Sequence, residues 1–185
     1  YRRQQLINVF QDTQKFYTEN KTLSAAVSYG RQNAKLYEAD DYPKLPAAAP
    51  KPGGVQVTAA KTFQAAMSLH EASPDKKIAV LNFASATRPG GGVKNGSSAQ
   101  EESLCRCSTL YPTIDSGRFW ERYYNVNREK RDNRHTDACI YSPGVIICKT
   151  DDSIPERLPE EDLVTVDVIT CAAPNLRNVP SNRHD

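Results

Sequence analysis

The stretch KKIAVLNFASATRPGGGVKNGSSAQEE, residues 76–102, joins three kinds of sequence in one run. The apolar residues from Ile78 to Phe83 are typical of a strand that is buried on both faces. Four of the nine glycines follow within seven residues, and two adjacent glutamates, Glu101 and Glu102, come soon after them. Because glycine permits tight backbone turns, the stretch predicts a strand, a glycine-rich loop and then the start of a helix.

Two further apolar runs indicate more strands of the same kind. They read ACIYSPGVIICK at residues 138–149 and LVTVDVITCAAP at residues 163–174. Helices are predicted over residues 2–19 and 61–69, because apolar residues recur there near helical spacing. Helical segments among buried strands favour an α/β layered domain over a β-sandwich.

The chain is predicted to divide near residue 54. Residues 38–54 hold four prolines and two glycines, which is typical of an irregular connector. Residues 1–54 are therefore predicted to form an N-terminal helical extension with its connector. The core is predicted over residues 55–185, and it begins with the β-prone alternation of Val55 and Val57.

Composition and charge argue against several functions. A net charge of +2 over 185 residues argues against direct sequence-specific nucleic-acid binding. The basic stretch 127–135 is expected to be a solvated loop, with contact to a polyanion as the alternative. No apolar run approaches the roughly 20 residues that cross a bilayer, and the polar start lacks an export signal.

The cysteines and histidines predict neither disulfides nor a metal site. Five cysteines are an odd number, which is typical of free thiols in a reducing compartment, so a cytoplasmic location is expected, or a nuclear one in a eukaryote. Neither the cysteines nor the three scattered histidines show the spacing of zinc ligands. No metal and no cofactor are therefore expected.

The glycine-rich loop has two explanations. In the first, Ser98 to Glu101 form a capping box, and the two acids favour the positive end of the helix dipole. In the second, backbone N–H groups of the loop cradle the phosphates of a nucleotide at the helix N-terminus. The acids would repel a phosphate placed on them but suit a sugar, where a carboxylate accepts hydroxyl hydrogen bonds or transfers a proton to a glycosidic oxygen.

The spacing of these residues resembles that of a known family. Gly90 to Gly92, then seven residues, then the QEE of residues 100–102 resemble the signature of poly(ADP-ribose) glycohydrolases. The flanking sequences VLNFASATRPGGG and AQEESLCRCSTLYP are similar to the bacterial-type (microbial) branch. The N-terminal helix, IYSPGV at 140–145 and VDVITCAAPN at 166–175 also lie where that branch has similar segments. The resemblance covers nearly the whole chain.

The resemblance implies a fold. It implies a macrodomain-like three-layer α/β/α domain with a mixed central sheet and an N-terminal helical extension. Such domains bind ADP-ribose at the carboxyl ends of strands, as open α/β sheets commonly do with their ligands. Macrodomains usually also have a second glycine-containing loop near the C-terminus, whereas this sequence has no glycine after Gly144. By the resemblance, the core over residues 55–185 is expected to lack its C-terminal part, either because the sequence is a piece of a longer domain or because the protein lacks half of the usual pocket.

The resemblance also implies roles for individual residues. The second glutamate of QEE is the acid/base catalyst in the family, and this position is Glu102. By the same match, Glu101 holds ribose hydroxyls. The implied substrate-binding residues are Gly90, Gly91, Gly92, Val93, Gln100, Asn82 and Ser85. The aromatic ring that stacks on adenine stays open among Phe83, Tyr111 and Trp120.

The chemistry of the two glutamates follows from their position on a helix. Neighbouring helical residues point about 100° apart, so Glu101 and Glu102 cannot flank one bond as the paired carboxylates of most glycosidases do. One of them should transfer a proton while the other positions the substrate. We expect protonated Glu102 to donate to the leaving ribose oxygen, after which its carboxylate activates a water molecule.

Three functions are compatible with the sequence. The first is hydrolysis of ribose–ribose bonds in poly(ADP-ribose), with release of ADP-ribose and with ADP-ribosylated proteins as partners. The alternatives are a module that binds ADP-ribose without cutting it, and a hydrolase of another ADP-ribose linkage. The QEE sequence favours an enzyme, because a binding module does not need the second acid.

Overall fold

The secondary structure was obtained from a computed structural model, which describes residues 1–41, 44 and 53–175. The α-helices are, in chain order, α1 (Arg2–Glu19), α2 (Lys21–Asn33), α3 (Thr62–Ala72), α4 (Gln100–Cys107), α5 (Tyr111–Ile114), α6 (Gly117–Phe119) and α7 (Asn125–Lys130). The strands are β1 (Lys35–Tyr37), β2 (Ala79–Ala84), β3 (Cys139–Ile147) and β4 (Val164–Ala172). Short 3₁₀ turns cover Val93–Asn95 and Glu160–Asp162, and a π-helical turn covers Trp120–Tyr124.

The strands form one mixed sheet in the order β1-β3-β4-β2. β2 runs parallel to β4, whereas β3 is antiparallel to both β4 and β1. The register of β3 shifts between Ser142 and Val145, where Gly144 has a φ of +68°, a conformation that glycine adopts readily. The mixed sheet and its helices confirm the predicted α/β class.

The larger of two core clusters lies against one face of this sheet. Phe10 of α1, Phe63 of α3 and Leu104 of α4 are buried in one cluster with Ile140 of β3 and Val168 of β4. The side chains of β2 alternate accordingly. Leu81 and Phe83 point away from the core and are 47% and 63% exposed.

The prediction that β2 is buried on both faces is therefore wrong. Its alternate residues Val80 and Asn82 are buried, but their neighbours Leu81 and Phe83 are not. The physical reason is that the described helices of the core cluster pack on one side only, and an apolar run does not record which of its side chains a helix covers.

The N-terminal segment belongs to the same core. Helix α1 confirms the helix predicted over residues 2–19, and α3 confirms the one predicted near 61–69. Phe10 lies in the core cluster and β1 is a strand of the sheet. The described N-terminal residues therefore pack onto the core. The division of the chain into two parts at residue 54 stays a prediction.

Two local predictions differ from the structure. Val55 and Val57 are exposed and lie outside any strand, so the strand predicted there is wrong, because nothing described pairs with it or covers it. Much of the predicted connector over 38–54 lies outside the described residues. The basic stretch 127–135 is not all loop, since α7 continues to Lys130.

A buried cation fastens α1 to the sheet. The ammonium of Lys149, which follows β3, donates to the carbonyl of Val9 at 2.9 Å and pairs with Asp12 at 2.7 Å. Arg157 binds the same carboxylate at 2.6 Å. Burial of a charge is tolerated when it is paired and hydrogen-bonded in this way. Among the described helices, none has the length and apolar character that crossing a membrane requires.

Candidate active site

The glycine-rich loop leaves the carboxyl end of β2 and folds back over α4. A turn closes when the N–H of Gly91 donates to the carbonyl of Arg88 at 3.0 Å. Gly90 and Gly91 have φ values of +66° and +55°, in the left-handed region that side chains with a Cβ disfavour. The sequence places glycine at both positions, and the chain can therefore reverse here.

Three backbone N–H groups of this segment point at the two glutamates. Ser85 and Gly90 donate to the two carboxylate oxygens of Glu101 at 2.7 and 3.1 Å. Gly92 donates to Oε1 of Glu102 at 2.9 Å. The end of β2 and the loop are thus held against the first turn of α4 by charge-assisted hydrogen bonds.

These bonds change the interpretation of the glycines. Every N–H of residues 90–93 has an acceptor, either a glutamate side chain or a carbonyl within the loop. The predicted cradle of N–H groups for a diphosphate therefore has no support in this arrangement. The glycines serve close approach instead, because a Cβ on Gly91 would lie 2.6 Å from Oε1 of Glu102.

The capping-box explanation is wrong. The residue that precedes α4 is Ala99, and it makes no side-chain capping hydrogen bond. Glu101 turns toward Ser85 and Gly90 rather than back to Ser98. Tertiary contacts with the loop hold the glutamate away from the local cap.

Gln100 closes the free edge of β2. Its Oε1 accepts from the N–H of Phe83 at 2.9 Å, and its Nε2 donates to the carbonyl of Leu81 at 2.8 Å. These two bonds reproduce those that one residue of a neighbouring parallel strand would make. A further bond from Nε2 to Thr62 at 3.2 Å ties α3 to the same point. Gln100 therefore positions α4 relative to the sheet.

We expect Gln100→Ala to lower the free energy of unfolding by about 1–2 kcal/mol, because two backbone groups at the sheet edge lose their partner. Urea unfolding measures the change. Gln4→Ala is the matched control, since it removes only an exposed helix-surface bond to Asn8 and should cost less than about 0.5 kcal/mol. Equal losses of unfolding free energy in the two variants would contradict the role of Gln100 in holding α4 to the edge of β2.

The other predicted binding residues occupy different surroundings. Asn82 is fully buried, and its amide donates to Thr170 at 3.1 Å, while its Oδ1 accepts no hydrogen bond from residues 1–41, 44 or 53–175. Ser85 is half-buried and reaches Glu101 through its N–H. The side chain of Val93 is buried in the core, so only its backbone faces the loop.

Of the three candidate aromatic rings, one is accessible. Phe83 is exposed, whereas Tyr111 is buried edge-on against Phe10. Trp120 is half-buried, and its indole N–H donates to Asp115 at 2.8 Å. Of these three rings, that of Phe83 is therefore the one free to stack on a ligand.

The two glutamates are both buried, but they are held differently. Glu101 is 3% exposed and has both oxygens bound by N–H groups. Glu102 is 7% exposed, and none of the residues that the structure describes binds its buried Oε2. Burial raises the pKa of the Glu101 carboxyl from 4.5 to about 7 and the nearby Glu102 adds to this, while the N–H groups oppose it.

The raised pKa of Glu101 predicts a pH-dependent stability. The folded chain binds this proton more tightly than the unfolded chain, so the stabilisation is complete below pH 4.5 and is lost as the pH rises through about 7. The shift from 4.5 to about 7 corresponds to roughly 3 kcal/mol. We expect wild type to lose stability between pH 5 and 8 in urea unfolding and Glu101→Gln to lose much less. The same slope in both proteins would contradict the assignment.

One residue of this region was missed by sequence reasoning. Arg106 lies four residues after Glu102 on α4 and is 3% exposed. Its spacing places it on the same helix face as Glu102 and was the available signal. Among the described residues, no three His, Cys, Asp or Glu side chains are grouped so that they could hold a metal ion.

Comparisons with known proteins identify what this arrangement resembles. The family model of the microbial-type PARG catalytic domain matches residues 4–150, PARG being poly(ADP-ribose) glycohydrolase. The crystal structure of PARG from Thermomonospora curvata matches with a TM-score of 0.82 and 29% identity, over 98% of this chain and 69% of that chain. A comparison with curated proteins gave no match.

Two ligand-bound structures are also similar. The T. curvata enzyme bound to the inhibitor ADP-HPD matches with a TM-score of 0.80 and 28% identity, over 98% of this chain and 68% of that one. PARG from Deinococcus radiodurans in complex with ADP-ribose matches with a TM-score of 0.68 and 35% identity, over 85% of this chain and 62% of that one. These matches confirm the macrodomain-like fold that the resemblance implied. Since the family model spans most of the sequence, this chain belongs to the microbial-type poly(ADP-ribose) glycohydrolases and is a glycosidase.

Proposed function

We propose that Glu102 is the general acid/base with which this enzyme hydrolyses the ribose–ribose O-glycosidic bonds of poly(ADP-ribose) and releases ADP-ribose. One observation carries the choice of Glu102 over Glu101. Both oxygens of Glu101 are occupied by backbone N–H groups, whereas Glu102 is anchored through Oε1 alone. Its Oε2 is buried and has no hydrogen-bond partner among the described residues, so of the four carboxylate oxygens it is the one that we assign to proton exchange with the substrate.

The reaction would use this oxygen twice. Protonated Oε2 of Glu102 donates its proton to the leaving ribose oxygen while the glycosidic bond breaks and positive charge develops at the anomeric carbon. The carboxylate that remains then takes a proton from water, and the water oxygen forms the new bond to that carbon. Glu101 positions the loop through Ser85 and Gly90 and holds ribose hydroxyls.

The ligand is proposed to be ADP-ribose at the end of a polymer. The similar structures hold ADP-ribose or the inhibitor ADP-HPD, which supports a ligand of this class. Gly90, Gly91 and Gly92 would let the loop approach the ribose and diphosphate closely, because they carry no side chains, with Val93 behind them. Gln100, Asn82 and Ser85 would shape the site from the strand side.

The proposed partners follow from the substrate, and the proposed location follows from the cysteines. ADP-ribosylated proteins are the carriers of the polymer and so are the proposed partners. All five cysteines are free, which supports a reducing compartment such as the cytoplasm.

The linkage specificity can be tested directly. Wild-type protein is incubated in parallel with labelled poly(ADP-ribose) and with peptides that carry a single ADP-ribose on serine, glutamate or arginine. We expect free ADP-ribose from the polymer and none from the peptides. Release from a peptide with the polymer left intact would favour a hydrolase of another ADP-ribose linkage, and binding without any release would favour a non-catalytic module.

A further inference from the structure

Arg106 carries a positive charge inside the protein without a carboxylate partner. It is 3% exposed, and no ion pair of the described residues includes it. Its Nη1 donates to the carbonyl of Ser97 at 2.5 Å, and its Nε has no partner within the described part of the chain. An unpaired buried charge is costly, so its retention calls for a reason beyond packing.

A series of hydrogen bonds connects the Arg106 guanidinium to Glu102, the proposed catalyst. Ser97, whose carbonyl it binds, donates its N–H to the carbonyl of Gly92 at 3.2 Å. Gly92 in turn donates to Oε1 of Glu102 at 2.9 Å. Glu102 and Arg106 are also connected through α4, because they lie one helical turn apart on it. Moving the guanidinium would therefore move the N–H that holds the catalyst.

The charge of Arg106 also acts on Glu102. Burial lowers the pKa of the Arg106 guanidinium, and the carboxylates of Glu102 and Asp151 oppose that effect. The positive charge in turn favours a negative charge at Glu102, the form left after proton donation. The titratable groups around the two side chains are Glu101, Cys105, Cys107 and Asp151.

We propose that Arg106 is a positioning residue, which holds the Ser97–Gly92 segment on Glu102 and stabilises the Glu102 carboxylate formed during the reaction. The proposal rests on the acid/base role proposed for Glu102. It assigns Arg106 an influence on kcat rather than on substrate affinity, because no contact between Arg106 and the substrate is involved.

The test compares Arg106→Gln, Arg106→Lys and the control Lys149→Met, which removes a buried cation that fastens α1. We expect Arg106→Gln to lower kcat for polymer hydrolysis by about 10–100-fold with KM within about threefold. Lys149→Met should lower the melting temperature and leave kcat and KM unchanged.

Arg106→Lys separates charge from geometry, and it decides the matter if the glutamine variant does not fold. It should lose kcat severalfold but less than Arg106→Gln, because an ammonium keeps the charge but lacks the planar fork that reaches Ser97. Wild-type kcat in Arg106→Lys, or an Arg106→Gln variant that behaves like Lys149→Met, would overturn the proposal. Glu102→Gln is measured alongside: if it stays active, the proposed function fails, whatever the Arg106 variants do.

Discussion

Glu102→Gln should lower kcat for poly(ADP-ribose) hydrolysis by about 10²–10⁴-fold, the usual contribution of a general acid or base. The amide has nearly the same shape and can still accept the N–H of Gly92, so the loop should keep its fold. It cannot release a proton to the leaving oxygen. We therefore expect the affinity for ADP-ribose, measured by calorimetry, to change only a few-fold.

The control for this experiment is a glutamate outside the site. Glu71 is exposed near the end of α3, and Glu71→Gln should keep wild-type kcat and affinity. Single-turnover measurements on labelled polymer report the chemical step separately from product release. If Glu102→Gln hydrolyses the polymer at the wild-type rate, Glu102 is not the acid/base and the proposed mechanism is wrong.

Gly91→Ala should strongly impair catalysis, because the new methyl group would press on both glutamates. The φ of +55° is unfavourable for alanine by about 1–2 kcal/mol. The new Cβ would also lie 2.6 Å from Oε1 of Glu102 and 3.2 Å from Oε2 of Glu101. Both carboxylates would have to move, and displacement of a catalytic group by about 1 Å can cost 10²-fold in rate. We expect kcat to fall by at least about 100-fold.

Gly117→Ala is the matched control for this prediction. Gly117 begins α6, and a Cβ added there would meet no heavy atom within 4 Å. Alanine should be accepted there within about 0.5 kcal/mol of unfolding free energy, with unchanged kcat. Urea unfolding and polymer hydrolysis measure both variants. A fully active Gly91→Ala protein would show that the close approach of Gly91 to the glutamates is not needed.

Parts of the fold were readable from local pattern. The helical spacing of apolar residues predicted α1, and the apolar runs predicted β2, β3 and β4. The pattern did not show which side chains of a strand the helices cover. Phe83 and Val80 look alike in sequence, but one is exposed and the other is in the core, because helix packing on one face decides the difference.

The candidate site, too, was only partly predictable from the sequence. The spacing of the glycines and QEE resembles that of a known family, and this resemblance predicted Glu101 and Glu102 as site residues from the sequence alone. The partners of these residues were not readable. Gln100, which the resemblance implied as a substrate-binding residue, also bonds to the edge of β2, and the N–H groups of Gly90 and Gly92 bind the two glutamates.

The sequence by itself determined which backbone can turn sharply and which side chains can transfer a proton, since both are properties of single residues. Only the tertiary structure decided which oxygen of which glutamate stays free. That choice depends on hydrogen bonds from Ser85, Gly90 and Gly92, and these N–H groups reach the carboxylates only after β2, the loop and α4 have packed together.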